Sequence, residues 1–197
     1  MIWEDIKLKD FEELQNLYRT DKTRFSNNAI EYLFKIKNAD TTLTLVEYAH
    51  YLNELKFFQT QPPKTKLQTS YTLNGKEYDL CLNMAAFSAV QFQDFTTYQR
   101  ETNPSTIDLL SVVLIPHGHR YNEDYDIEEA KEDIGTISVS DANAIVFFFV
   151  KWLRRYVGFL NDYLTRPKTL KKIPTEVQAK MRELTTTLQK ILQTITE

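Results

Sequence analysis

The longest apolar stretch of the chain covers residues 141–164, and its pattern predicts a long helix. Every residue from 144 to 150 is apolar, which indicates a helix that is buried on nearly every side. After Lys151 the pattern becomes one-sided, because charged residues fall between aromatic residues that recur at helical spacing. Ser138 with Asp141 fits a capping box at the start of the segment. We predict that this spine helix forms the hydrophobic centre of a globular domain.

The aromatic residues of the spine helix also permit a second interpretation. They surround the helix and offer more aromatic surface than its own domain is expected to cover. Aromatic side chains are enriched at protein interfaces, so the remainder would face a partner. The candidate partner-binding residues of this helix are Phe147, Phe148, Phe149 and Trp152. A membrane span needs about 20 mostly apolar residues. Lys151, Arg154 and Arg155 cut the run short, so we predict no membrane span.

Two shorter amphipathic helices are predicted in the first part of the chain. The first has its apolar face at residues 11–18, and Asp10 with Glu13 resembles a capping box at its start. The second is expected to begin at Asn28. Residues 38–42 are small and polar, and we predict a loop there.

The third amphipathic helix carries a clear capping signal. Thr44 and Glu47 have the spacing of a capping box. The stripe expected to face the core consists of Leu45, Tyr48, Leu52 and Leu55. His50 lies in the same helix, where we expect a surface or packing role.

Residues 59–67 break the helical pattern, and a hairpin pattern follows them. Two consecutive prolines in this segment indicate an extended linker. Residues 68–81 alternate polar and apolar positions around Asn74-Gly75, a dipeptide that type I′ turns prefer. A lone hairpin is marginal in water, so we expect it to pack on the helices or to accept a partner strand at its edge.

Helical patterns resume after the hairpin. Ser88 with Gln91 predicts one helix start, and Asn103-Pro104 predicts the next. An apolar helical stripe follows at 107–114, although the β-branched run 109–115 also fits a buried strand. A short helix is then predicted at 126–135, between an aspartate cap and a terminal glycine.

The C-terminal residues predict a separate helix. Residues 166–173 form a basic linker, and Pro174 begins a helix that continues to residue 197. Its apolar residues follow a heptad pattern, and the candidate partner-binding residues among them are Met181, Leu184, Leu188 and Ile191. This helix either folds back onto its own domain or pairs with a partner helix, including one from a second copy of the chain.

Together these patterns predict a mainly α protein. The expected architecture is a bundle of about seven to eight helices with one β-hairpin near residues 68–81. The expected organisation is a helical domain at 1–165 that contains the linker 59–67 and the hairpin. The basic linker 166–173 and the C-terminal heptad helix 174–197 follow it.

Composition narrows the classes of function. The net charge of −3 gives no reason to expect binding to nucleic acid or to an anionic membrane. Cys81 is the single cysteine, so an internal disulfide is excluded and a reducing compartment is expected. The first residues lack the basic start and apolar core of a secretion signal, so we expect a cytoplasmic origin.

One loop carries side chains with metal-binding chemistry. Its candidate ligands are His117, His119, Asp124 and Asp126. Mixed histidine and carboxylate ligands suit several divalent metals, but plain turn composition explains the same residues. The sequence has no glycine-rich phosphate loop and no nucleophile-elbow motif. We expect no cofactor and no enzymatic activity; a metal-dependent enzyme that uses this loop is the alternative.

Several segments follow one another in an order that is typical of a known group of proteins. They are Tyr71–Tyr78, Gln91–Phe95, Asp108–Pro116, Tyr121–Asp126, Asp141-Ala142 and Phe147-Phe148. In this order the chain resembles helical accessory proteins of tailed bacteriophages, such as tail-assembly chaperones and small baseplate- or neck-associated proteins. The resemblance covers about half of the chain.

This resemblance implies a non-enzymatic protein that binds other structural or tail proteins of a phage. We expect it to act in tail or virion assembly in the host cytoplasm, or to be incorporated in the virion as a minor component. The resemblance implies no catalytic residues. A helical oligomer with a regulatory role in the host is a further alternative.

Overall fold

The structure is a computed structural model that describes residues 1–98, 105–165 and 174–196. It confirms the predicted mainly α fold with a β-hairpin. The chain divides into two compact units, Met1–Ala144 and Ile145–Glu197. The predicted helix start at Asn103-Pro104 and the predicted linker 166–173 lie outside the described residues.

The described residues form nine α-helices and three β-strands. The helices before the spine helix are α1 (Leu8–Thr20), α2 (Phe25–Phe34), α3 (Ala39–Thr42), α4 (Leu45–Glu54), α5 (Ala89–Tyr98), α6 (Thr106–Ser111) and α7 (Ile127–Ile134). The spine helix is α8 (Val139–Thr165), and the C-terminal helix is α9 (Thr175–Thr196). The strands are β1 (Ser70–Leu73), β2 (Lys76–Leu80) and β3 (Leu114–Pro116). Short 3₁₀ helices lie at Trp3–Asp5, Leu55–Gln59 and Met84–Ala86.

An apolar cluster in the first unit holds α1 to α4 together. Its buried residues are Leu14, Ala29, Ile30, Ala39 and Leu55. The predicted capping box of α4 is present, because the N–H of Glu47 donates to Thr44 Oγ1 and the N–H of Thr44 donates to Glu47 Oε2. The prediction that Leu45 faces the core is wrong, since it is 84 % exposed. Leu45 is the first residue of α4, and the cap directs it towards solvent.

Two boundaries in this region differ from the prediction. The Asp21 carboxylate accepts the N–H groups of the second and third residues after it and forms the turn before α2. Helix α2 therefore begins at Phe25, and the predicted start at Asn28 is wrong. The predicted loop at 38–42 is also wrong, because the short helix α3 brings the fully buried Ala39 into the cluster.

The segment before α1 pairs with the segment between α7 and α8. The N–H of Leu8 donates to the Ile137 carbonyl at 2.9 Å. The N–H of Val139 donates to the Ile6 carbonyl at 3.1 Å. These bonds hold the chain in an extended conformation up to the start of α1, so the predicted cap at Asp10 is wrong.

Trp3 lies at the centre of an aromatic cluster. It is 7 % exposed, and its ring meets Phe11, Phe57 and Phe58 edge to face at centroid distances of 5.9, 5.1 and 5.5 Å. Its indole Nε1–H donates to Thr60 Oγ1 at 3.1 Å. Edge-to-face rings are a favourable arrangement of aromatic quadrupoles, so the cluster anchors the first 3₁₀ turn.

The hairpin prediction is confirmed in its turn, register and burial. β1 and β2 are antiparallel, with Tyr71 opposite Tyr78. Asn74 and Gly75 have φ values of 48° and 79°, as a type I′ turn requires. The side chains that alternate onto the buried face are Tyr71, Leu73, Tyr78 and Leu80.

A third strand extends the hairpin into a sheet. β3 pairs with β2 along the edge that β1 leaves open. The N–H of Cys81 donates to the Val113 carbonyl, and the N–H of His117 donates to the Glu77 carbonyl, both at 2.8 Å. The predicted helical stripe over 107–114 is therefore interrupted. The chain changes from helix to strand, and β3 pairs with the backbone N–H and C=O groups at the open edge of β2.

A buried carboxylate joins α7 to the hairpin. The Asp133 side chain is 7 % exposed and accepts hydrogen bonds from Tyr78 Oη (2.7 Å), Asn74 Nδ2 (2.8 Å) and Lys76 Nζ (3.0 Å). Burial alone would raise the pKa of Asp133, but these donors outweigh burial and hold the pKa below its ordinary value. Lys76 also pairs with Glu129 at the surface. The buried Asp133 carboxylate thus has three hydrogen-bond donors.

The helix predicted over residues 141–164 is present as α8, but the prediction that residues 144–150 are buried on nearly every side is wrong, because Phe147 is 66 % exposed. The predicted N-cap of α8 is present, because the N–H of Asp141 donates to Ser138 Oγ at 3.1 Å and the Ser138 hydroxyl in turn donates to Asp141 Oδ2 at 2.7 Å. One face is buried and carries Ile145, Phe149, Val150, Leu153 and Val157. Among the residues that the structure describes, no helix combines the length and the apolar character needed to cross a bilayer.

Candidate functional site

The four side chains that the sequence suggested as metal ligands lie in the loop after β3 and do not form one cluster. His117 Nδ1 lies 2.8 Å from Asp79 Oδ2 on β2. His119 Nδ1 lies 3.2 Å from Asp124 Oδ1 within the loop. The Asp126 carboxylate caps α7 by accepting N–H groups of its first turn. The structure therefore brings His119 and Asp124 together and gives His117 and Asp126 other partners.

The pair of His119 and Asp124 closes the loop on itself. The N–H of Arg120 donates to Asp124 Oδ1 at 3.2 Å. This backbone hydrogen bond, with His119, lowers the pKa of the Asp124 carboxyl. The His119 ring also meets the Tyr125 ring edge to face at 6.0 Å. These contacts indicate that His119 and Asp124 stabilise the conformation of the loop.

His117 and two further ligating side chains converge on the solvent-exposed face of the sheet. Glu77 and Asp79 flank the buried Tyr78 in β2, so they project from the opposite face. His117 follows β3 and is held beside β2 by its backbone hydrogen bond to Glu77. One ligand atom from each of these three residues lies within 4.8 Å of the other two. An imidazole with two carboxylates is a donor set that suits several divalent metals.

Sequence reasoning found His117 and missed Glu77 and Asp79. The signal for the two acids was present, because the predicted hairpin placed Tyr78 inward and therefore both neighbours outward. The pairing of β3 with β2 brings His117 to them. That pairing joins segments far apart in the sequence, so no local pattern predicts it.

The four candidate residues of α8 differ in exposure. Phe147 is 66 % exposed, and Phe148 and Trp152 are half-buried. Phe149 is 7 % exposed, and its ring meets Phe148 edge to face at 5.3 Å. Phe149 therefore lies on the buried face of the helix, whereas Phe147 offers a large apolar surface to solvent.

Phe147 lies on a face of α8 that carries several basic residues. The exposed residues one or two turns after it on this face are Lys151, Arg154 and Arg155. At the border of this face, Trp152 stacks on Tyr156 with a centroid distance of 5.0 Å and an interplanar angle of 15°. We call Phe147, Trp152 and these three cations the basic aromatic face.

The C-terminal helix begins after Pro174, as predicted. Val177 is 44 % exposed, and Met181 is half-buried. Thr185 is buried, and its hydroxyl donates to the Met181 carbonyl at 2.8 Å. The side chains of the remaining candidates lie outside those the structure describes; they are Leu184, Leu188 and Ile191.

The described residues thus present two surfaces with recognisable chemistry. The sheet carries one imidazole and two carboxylates on its exposed face. Helix α8 carries exposed aromatic and cationic side chains together. Comparison of the chain with protein-family models, with curated proteins and with solved structures finds no match.

Proposed function

We propose that this chain is a non-enzymatic protein of a tailed bacteriophage that binds other structural or tail proteins. It acts in tail or virion assembly in the host cytoplasm, or is incorporated in the virion as a minor component. The observation that carries the proposal is the 66 % exposure of Phe147 on the basic aromatic face. The order of elements that resembles phage accessory proteins supplies the phage setting.

A partner that buries the exposed phenylalanine ring gains binding free energy, because apolar surface is removed from water. Full burial of a large apolar side chain stabilises a complex by about 1.5–3 kcal/mol. The 66 % of Phe147 that is exposed therefore corresponds to about 1–2 kcal/mol. Trp152 and the neighbouring arginines are residue types that are enriched at binding hot spots.

The basic residues restrict the chemistry of the partner. Three cations follow Phe147 on the same face of α8, so a complementary surface places carboxylates beside an apolar pocket or segment. Such charge complementarity speeds association, and salt weakens it. We therefore expect an apolar segment with acidic neighbours in a tail or head protein.

Co-expression with individual phage proteins tests the proposal. The structural proteins encoded beside this gene would be expressed with the chain one at a time, and complexes would be measured by size-exclusion chromatography with light scattering. Phe147→Asp should abolish the complex, because it puts a carboxylate where the partner supplies carboxylates. Val90→Asp is the matched control, since Val90 is also exposed (52 %) but lies on α5. The control should bind like the wild type.

Two results would reject the proposal. One is a gene neighbourhood without capsid, tail or tape-measure genes. The other is a complex that forms equally well with Phe147→Asp and with the wild type.

Helix α9 supplies a second means of association, with another copy of the chain. Val177 and Met181 belong to its heptad pattern, and Val177 is exposed. Truncation before Pro174 should reduce the particle mass measured by light scattering to that of a monomer. If the wild type and the truncated chain are both monomeric, self-association through α9 is rejected.

A further inference from the structure

The exposed face of the sheet holds three potential metal ligands close together. Glu77 and Asp79 are two residues apart in β2, so their side chains leave the same face. His117 is held beside them by its N–H bond to the Glu77 carbonyl. The backbone therefore brings all three residues together before any ion binds.

One pair of ligand atoms lies close to the separation found around a small divalent cation, and the third ligand is within reach. Zinc binds nitrogen and oxygen ligands at about 2.0–2.2 Å in a tetrahedral arrangement, so adjacent ligand atoms lie roughly 3.3–3.6 Å apart. The distance from His117 Nδ1 to Asp79 Oδ2 is 2.8 Å. The Glu77 carboxylate lies within 4.8 Å of both atoms, and a rotation of its exposed side chain closes the remaining gap.

The local charge favours a cation. Two carboxylates face one imidazole, and among the described residues Glu77 forms no ion pair. The nearest lysine in the strand, Lys76, is engaged by Asp133 and Glu129 instead. A divalent ion would therefore neutralise a surplus of negative charge at this face.

We propose that Glu77, Asp79 and His117 bind one divalent transition metal ion, with Zn²⁺ as the best match to this donor set. Three protein ligands leave further coordination positions for water. The ion connects β2 to the residue that follows β3, so binding strengthens the pairing of these strands. This inference is independent of the proposed phage function.

Calorimetric titration of the full, tag-free chain with zinc chloride tests the site. The wild type should bind one Zn²⁺ per chain in the micromolar range, and its Tm should rise with added zinc. Asp79→Asn and His117→Ala should each weaken binding at least about tenfold, because each removes one ligand of three. All three ligands are exposed, so circular dichroism should show an unchanged fold in both variants.

His119→Ala is the matched control. His119 lies two residues from His117 but pairs with Asp124, outside the cluster. This variant should bind zinc like the wild type. The ring signals of His117 in a proton–carbon NMR spectrum should shift on addition of zinc, and those of His119 should not. Absence of saturable zinc binding by the wild type, or an equal loss in His119→Ala and His117→Ala, would overturn the proposal.

Discussion

Removal of the buried carboxylate of Asp133 should destabilise the first unit strongly. Asp133→Ala deletes the acceptor of three hydrogen bonds, including the one from the Tyr78 hydroxyl. Tyr78 is 1 % exposed, so its hydroxyl has no access to replacement water. Lys76 is 47 % exposed at its side chain and recovers its hydration. The main cost therefore falls on Tyr78 and on the cavity left by the carboxylate.

The expected magnitude follows from the number and type of the lost bonds. A hydrogen bond to a charged group contributes about 1.5–3 kcal/mol, and an unsatisfied buried hydroxyl costs about 1–3 kcal/mol. Allowing for the rehydration of Lys76 and Asn74, Asp133→Ala should lower the free energy of unfolding by about 3–5 kcal/mol. Tyr78→Phe removes only the donor and keeps the ring, so it should cost about 1–2 kcal/mol.

The pH dependence of this effect has a defined sign. The folded-state pKa of Asp133 is lowered, so its carboxylate stabilises the fold above the unfolded pKa of about 3.9. This contribution is lost as pH falls through the lower, folded-state pKa. The difference between wild type and Asp133→Ala should therefore stay constant from about pH 5 to about pH 8 and shrink below about pH 4.

Urea denaturation followed by tryptophan fluorescence measures these differences. A Trp152→Phe background leaves Trp3 as the reporter, and Trp3 belongs to the same unit as Asp133. The double variant Tyr78→Phe with Asp133→Ala completes a mutant cycle, and its coupling energy should be about 1–2 kcal/mol. A loss below about 1 kcal/mol for Asp133→Ala at neutral pH would refute the reasoning, as would a loss that acid leaves unchanged.

Three further changes test local features. Thr44→Ala removes the hydroxyl that caps α4 and should lower the free energy of unfolding by about 1 kcal/mol in urea denaturation, and an unchanged midpoint would contradict this. Gly75→Ala places a side chain at a residue with positive φ and should lower the free energy of unfolding by about 1–2 kcal/mol. Gly158→Ala, in the exposed part of α8, should raise it by about 0.5–1 kcal/mol. Equal effects of the two substitutions would contradict the turn assignment. Burial raises the pKa of the Cys81 thiol, so a disulfide reagent at pH 8 should react with it more slowly than with free cysteine, and an equal rate would argue against burial.

The elements with local signals could be predicted from the sequence. The N-terminal caps of α4 and α8 need only residues three positions apart, and both are present. The hairpin turn depends on Asn74-Gly75, whose positive φ values few other dipeptides adopt. In each case the deciding interaction lies within one turn of the chain.

Elements that depend on distant partners could not be predicted. The Glu12 carboxylate on α1 accepts hydrogen bonds from the Ser105 hydroxyl and the Ile107 N–H at the start of α6, and no local pattern predicts this role. Likewise, Asp133 shows no sign in the sequence that it will be buried beneath the hairpin. These roles arise only when separate segments meet, so local propensity does not report them.

The candidate sites also combine features that local sequence predicts with features that depend on distant partners. The aromatic content of the spine helix was evident, but exposure separates Phe147 from Phe149, which lie two residues apart on a helix and therefore on different faces. His117 was found by residue type alone. Its association with Glu77 and Asp79 depends on the register of β3 against β2.

The pairing of Ile6 and Leu8 with the segment before α8 has a consequence for the order of folding. Its two sides are separated by well over half of the chain, so forming it carries a large loop-closure cost. At synthesis rates of about 5–20 residues per second, on the order of ten seconds pass between the emergence of Ile6 and that of Val139 from the ribosome. During that interval the Ile6 carbonyl and the Leu8 N–H have no native hydrogen-bond partner. Closure of the first unit therefore waits for the start of α8 and is among the last events of its folding.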